Sequence, residues 1–197
     1  MTRRQVNSMP AQAHGTPRKH LLTVGDYHRM AEVGILSPEL RVELIGGEII
    51  DMAPIGSRHA ATINRLTHLF GRACGEQAIV AVQNPVLLGA DSEPQPDLAL
   101  LRPRDDFYAA HHPGPEDVLL IVEVADTTLG YDRNVKLPLY ARHGISETWL
   151  IDLEAQTVTS YSKPGGDRYH ELMLLTGHRA PLALPGCAIP LTPLFVR

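Results

Sequence analysis

Asp97 follows a proline, Glu123 closes an apolar run, and Lys136 stands on the helical stretch that comes next. This ordered set of two carboxylates and one ammonium is the part of the chain best suited to chemistry. Carboxylates on rigid strands can hold a hard divalent cation through oxygen, and Mg²⁺ takes one or two of them while keeping several waters. A cation so held lowers the pKa of a bound water and neutralises charge building on a phosphoryl oxygen. A neighbouring lysine can orient that water or shield the developing charge. The expectation is metal-dependent hydrolysis of a phosphodiester, with Asp97 and Glu123 holding Mg²⁺ or Mn²⁺ and Lys136 as the catalytic cation.

The elements must converge these residues. Pro-Asp is an ordinary way to leave a turn. The run Leu119-Leu120-Ile121-Val122-Glu123-Val124 says more: continuous apolar residues bounded by loop-forming ones read as a buried central strand. An ionised glutamate at its end is costly unless it is paired or holds a metal. A solvated strand end, or an arginine partner, is the competing reading.

The rest of the chain supplies the frame. Thr23 and Asp26 have the spacing of a capping box, with a helix running to about residue 33 and stopped by Gly34. Gly46-Gly47 between two apolar runs predicts a tight β-hairpin. Ser57 is expected to cap a second helix, with Ile63, Leu66, Phe70 and Ala73 on its apolar face and Gly75 as its end. Strands are expected at 78–82, 85–88, 97–101 and up to Glu123, with a long connection over 102–117. A helix over about 133–142, a strand over 147–152 and a hairpin turning at Pro164-Gly165-Gly166 follow. The Pro-rich end adds only a short strand. This order is α/β with a mixed sheet, and 118–152 forms a parallel strand–helix–strand crossover.

Composition narrows the class. The length of 197 residues suits one domain with ample core. No stretch approaches a transmembrane length, so no membrane partner is expected. Residues 1–20 are polar, lack an apolar segment, and are expected to form a disordered tail ahead of one domain over 21–197. Two cysteines give neither a disulfide framework nor a thiolate zinc cluster, which fits a reducing cytoplasm. The ten histidines are scattered without a metal-binding spacing. A net charge of −4 argues against a general nucleic-acid binder, although a local basic patch suffices for phosphate contact. Arg102, Arg104, Arg133, Lys136 and Arg142 lie near the proposed site in sequence.

The stretch Val122-Glu123-Val124-Ala125-Asp126-Thr127-Thr128, continuing through Tyr131-Asp132-Arg133-Asn134-Val135-Lys136 to Thr148-Trp149-Leu150-Ile151-Asp152, resembles the Uma-type family of restriction endonucleases. That family belongs to the PD-(D/E)XK nuclease superfamily. Glu43-Leu44-Ile45-Gly46-Gly47-Glu48-Ile49, Met52-Ala53-Pro54 followed by His59, and Pro96-Asp97 match as well. The resemblance covers about residues 22–194. It implies a restriction-endonuclease-like core, a mixed sheet flanked by helices, with Asp97 and Glu123 as metal ligands. Glu43 matches the acidic residue that completes many such sites, and the Val124 carbonyl is a further expected ligand. A plain E-x-K spacing would put the lysine at position 125, where this chain has Ala125. In the Uma-type family it stands on the following helix, where Lys136 is, and a long lysine stem can reach back from there.

Other residues keep two readings. His59, near a helix start, can bind phosphate, bridge to the metal through water, or sit on the surface. Asp132 can pair with Lys136 at i, i+4 or cap the helix. Tyr140 and Trp149 read as core packing; with 5% aromatic residues, base stacking has little support. The leading function is an endonuclease acting on DNA, duplex in preference, whose products carry 5′-phosphate and 3′-hydroxyl as the resemblance implies. A homodimer is expected, with an apolar edge at Leu172-Met173-Leu174-Leu175. The alternative is a nuclease fold kept as a binding or structural module with weak or no catalysis.

Overall fold

The computed structural model describes residues 18–196. Of the expected tail, residues 1–17 lie outside the described residues. Helix α1 (Val24–Glu32) opens on the capping box read from the sequence: Thr23 Oγ1 accepts from the Asp26 amide, and Asp26 accepts from the Thr23 amide. Strands β1 (Val42–Ile45) and β2 (Glu48–Asp51) form the expected hairpin. Gly46 and Gly47 both have positive φ, the requirement of a two-residue type I′ turn. A Cβ at Gly47 would also lie 2.6 Å from the Leu21 Cβ, so this corner admits no side chain.

Helix α2 (Ser57–Cys74) buries Ile63, Leu66, Phe70 and Cys74 at helical spacing. Its N-cap is Gly56; Ser57, expected as the cap, is the first helical residue. The main sheet runs β3 (Ile79–Val82), β4 (Leu98–Leu101), β5 (Val118–Ala125), β6 (Glu147–Asp152), β7 (Thr157–Gly165) and β8 (Arg168–Leu175), in that spatial order. Only the β5–β6 pair is parallel. The strand expected at 85–88 does not form. There the amides of Val86 and Leu88 bond back to the carbonyls of Pro94 and Ser92, closing a local loop instead of a ladder. The β7–β8 turn lies at Gly166-Asp167, because Pro164 and Gly165 still pair across the hairpin. Two short strands, β9 (His178–Arg179) and β10 (Ile189–Pro190), pair near the C-terminus.

Strand β5 is buried along its whole length, as its apolar run requires. Alternation splits its side chains between two cores. Leu120, Val122 and Val124 pack with α2 and the segment 184–194. Ile121 and Ala125 pack with Leu137, Leu139 and Tyr140 on the other face. Each fully buried Leu or Phe contributes about 1.5–3 kcal/mol.

The crossover from β5 to β6 is helical over 129–142. It consists of α3 (Leu129–Tyr131), a π-helical turn (Asp132–Lys136) and α4 (Leu137–Arg142). The helix therefore starts four residues before the expected 133, and Thr128 occupies the N-cap position.

Candidate metal centre

Leu98 pairs with Val122 in the antiparallel β4–β5 register. The preceding Asp97 therefore stands opposite the following Glu123. Both side chains point to the face that carries α4, and the Asp97 amide lies 3.5 Å from Glu123 Oε2. The Asp97 carboxylate accepts from the Val124 amide at 2.8 Å and faces His59 Nε2 at 3.0 Å. Val124 thus enters the site through its N–H. Its side chain packs in the opposite core, and it is not among the residues lining the cavity.

Glu43, from β1, reaches the same cavity. Its Oε2 accepts from the Gln95 amide at 3.0 Å, and its Oε1 from the Tyr131 hydroxyl at 3.3 Å. Lys136 lies between the glutamates, its Nζ 3.3 Å from Glu43 and 3.2 Å from Glu123. The π turn aims it there: the Leu137 amide bonds the Asp132 carbonyl, five residues back, so the side chains no longer stack as on an α-helix. Asp132 neither caps the helix nor forms the i, i+4 ion pair with Lys136. Its carboxylate accepts from the Thr128 hydroxyl at 2.7 Å.

These groups line one cavity of about 280 Å³. Six acids line it, Glu43, Asp51, Asp97, Glu123, Asp126 and Asp132, and three of them, Glu43, Glu123 and Asp132, are buried against a single buried cation, Lys136. The electrostatics follow from that imbalance. Burial pushes the Glu123 carboxyl up to about 8, and Asp97 and Asp132 push the same way against Lys136 and the Tyr140 hydroxyl. Burial likewise raises Asp132. Burial works against the Lys136 charge, but Glu123 and Glu43 outweigh it and hold the ammonium well above its ordinary value. Desolvation also opposes the charged form of His59; its bond to Asp97 outweighs this and raises its pKa. His59 Nδ1 is buried without a partner among the described residues.

The donor set is oxygen-rich and short of positive charge, which suits a hard divalent cation. Among the described residues no three Asp, Glu, His or Cys side chains converge as a ready-made chelate. The carboxylate oxygens are turned to amides, hydroxyls and Lys136.

Four further residues, Tyr140, Tyr131, Thr128 and Gln95, orient the acids, a role not legible for them in the sequence. Tyr140 donates to Glu123 and is fully buried, so its role joins packing with carboxylate orientation. Tyr131, Thr128 and Gln95 fix the other acids. Tyr140 lies four residues after Lys136, a spacing that could have placed it at the site. Of the basic residues near the site in sequence, only Lys136 lines the cavity; Arg41, from the edge of β1, joins it there.

A family model described as "Putative restriction endonuclease", Uma2, matches residues 24–192. The crystal structure of a "putative nuclease belonging to DUF820" from Anabaena variabilis ATCC 29413 superposes with a TM-score of 0.65 at 17% identity, covering 88% of this chain and 97% of that one. At that identity the likeness bears on the fold alone, and the fold is restriction-endonuclease-like. No curated protein matches.

Proposed function

The chain belongs to the Uma2 family, described as "Putative restriction endonuclease", and on that premise we propose that it is an endonuclease hydrolysing phosphodiester bonds of duplex DNA with Mg²⁺ or Mn²⁺. The observation carrying this reading is the surplus of buried carboxylates over cations in one cavity. A divalent ion would balance that surplus, held by Asp97 and Glu123 with Glu43 completing the set. When bound, it supplies a water of lowered pKa and positive charge against the phosphoryl oxygens. Asp97 is fixed for this role by the Val124 amide and His59, Glu123 by Tyr140, and Glu43 by Gln95 and Tyr131. Lys136 shields negative charge as it builds on the phosphoryl group, and loss of one such preorganised group costs on the order of 10²-fold in rate, about 3 kcal/mol.

Duplex cleavage needs two sites, which a homodimer provides. The edge strand β8 exposes Leu172, Met173 and Leu174 in succession, more apolar surface than a solvated edge ordinarily carries. Light scattering at micromolar concentration should report a dimer; a monomer would contradict this part.

One observation favours a nuclease fold without catalysis: the Lys136 ammonium already sits between two of the acids. Supercoiled plasmid incubated with Mg²⁺, Mn²⁺ or EDTA, beside Asp97→Ala, separates the readings. The endonuclease reading expects nicked and linear products with metal only, lost in Asp97→Ala. Intact plasmid with either metal, together with DNA binding that weakens with salt, would select the binding module.

A further inference from the structure

Strands β5 and β6 are parallel, so their carboxyl ends open at the same end of the sheet. Asp126, just past β5, lines the cavity that holds the acids. Leu153, just past β6, lines a second cavity of about 340 Å³. The first turn of α2 divides the two: Gly56 and His59 face the first, Ser57 and Arg58 the second. Arg58 ties the divide together, donating to the Leu153 carbonyl and pairing with Asp126 at 3.5 Å and Glu154 at 3.6 Å.

The two cavities have opposite chemistry. The first is crowded with carboxylates. Among the described residues the second is lined by Arg58, Arg65, Ser57 and Gln156 and by no acidic side chain. Arg65 lies seven residues after Arg58, two turns along the same helix face. It is half-buried, and among the described residues it makes no ion pair or side-chain hydrogen bond. A guanidinium held in a recess without an acid is a ready partner for phosphate.

We infer that this second cavity is a phosphate subsite, in which Arg65 takes a backbone phosphate flanking the one presented to the carboxylates, while Arg58 stays engaged by Leu153, Asp126 and Glu154. The inference rests on the nucleic-acid reading above and adds the direction of the strand: across the first turn of α2, from the acidic cavity to the basic one. Apolar Leu194 and Phe195 at the second cavity offer a surface for the sugar of that nucleotide.

Fluorescence anisotropy of a short labelled DNA duplex, with Ca²⁺ in place of Mg²⁺, tests it. Arg65→Ala should weaken binding roughly 5- to 10-fold and lower the slope of log affinity against log salt by about one. Arg65→Glu should weaken it further, and Arg65→Lys should recover most of the loss. Arg168→Ala, at the opposite end of the sheet on β8, should bind as wild type, and all variants should keep the wild-type Mn²⁺ affinity by calorimetry. Wild-type affinity and salt slope in both Arg65→Ala and Arg65→Glu would overturn the subsite while leaving the nuclease reading intact. Failure of the wild-type protein to bind DNA at all would overturn both.

Discussion

Glu123 and Glu147 lie on adjacent parallel strands, and both are almost wholly buried, at 2% and 3% exposure. Their surroundings differ in kind. Glu147 Oε1 accepts from the Trp149 indole at 2.7 Å and the Ser160 hydroxyl at 2.8 Å, and its Oε2 from the Leu182 amide at 2.6 Å. Three neutral donors satisfy it, and it fastens the segment around Leu182 to the sheet. Glu123 meets Tyr140 and Lys136, but it also faces Asp97 and feels Asp132, beside a cavity. Burial alone therefore does not distinguish the carboxylate proposed as a ligand from the one that is structural. Like charges gathered at a cavity wall distinguish it, because that arrangement calls for a counter-ion which the chain supplies only in part.

Substitution at Glu123 should sharpen the contrast most. Glu123→Gln should abolish metal-dependent cleavage. In EDTA it should also change the pH dependence of stability. The folded pKa of about 8 stands above the ordinary 4.5, so the stabilising contribution of the protonated form is full below about 4.5 and is lost as pH rises to about 8. Urea midpoints of the metal-free wild type should fall across that window, and those of Glu123→Gln should be flatter. Parallel curves for the two proteins would break the contrast.

Lys136→Met comes next. Removing it leaves Glu43 and Glu123 buried without their cation, a loss of roughly 3–5 kcal/mol. Mn²⁺ should restore part of the melting temperature. Single-turnover cleavage should fall about 10²-fold, with Mn²⁺ affinity retained. Cutting at near wild-type rate would make the lysine structural.

Glu147→Ala should show the smallest functional effect. It leaves buried donors unpaired and should cost roughly 2–4 kcal/mol in urea denaturation, yet cleavage per folded molecule should match wild type. A loss of cleavage beyond the unfolded fraction would erase the distinction between the two glutamates.

The sequence made the positions of the acids more legible than their partners. The continuous apolar run around Glu123 reads as a buried strand, and Gly46-Gly47 between two apolar runs reads as a hairpin turn; both form as read. The π turn was not legible. Its residues Asp132–Lys136 fit an α-helix equally well, and the wider turn coincides with the placement of Lys136 between Glu43 and Glu123, contacts that lie far apart in sequence. The same blindness hid Tyr140, since an aromatic residue on an apolar helix face looks like packing until a carboxylate is found beneath it. It also made Asp132 look like a cap, because its partner Thr128 lies in a helix start that local pattern placed too late. Residues 85–88 carry strand-like composition, but loop closure claimed their amides first.

On the proposed function the Glu123 cluster, and not the equally buried Glu147, holds a divalent cation. Calorimetric titration of Mn²⁺ into wild type, Glu123→Gln and Glu147→Gln tests it most directly. Wild type and Glu147→Gln should bind Mn²⁺ alike, and Glu123→Gln should lose most of that binding. Equal binding by all three proteins, or by none, would contradict the account.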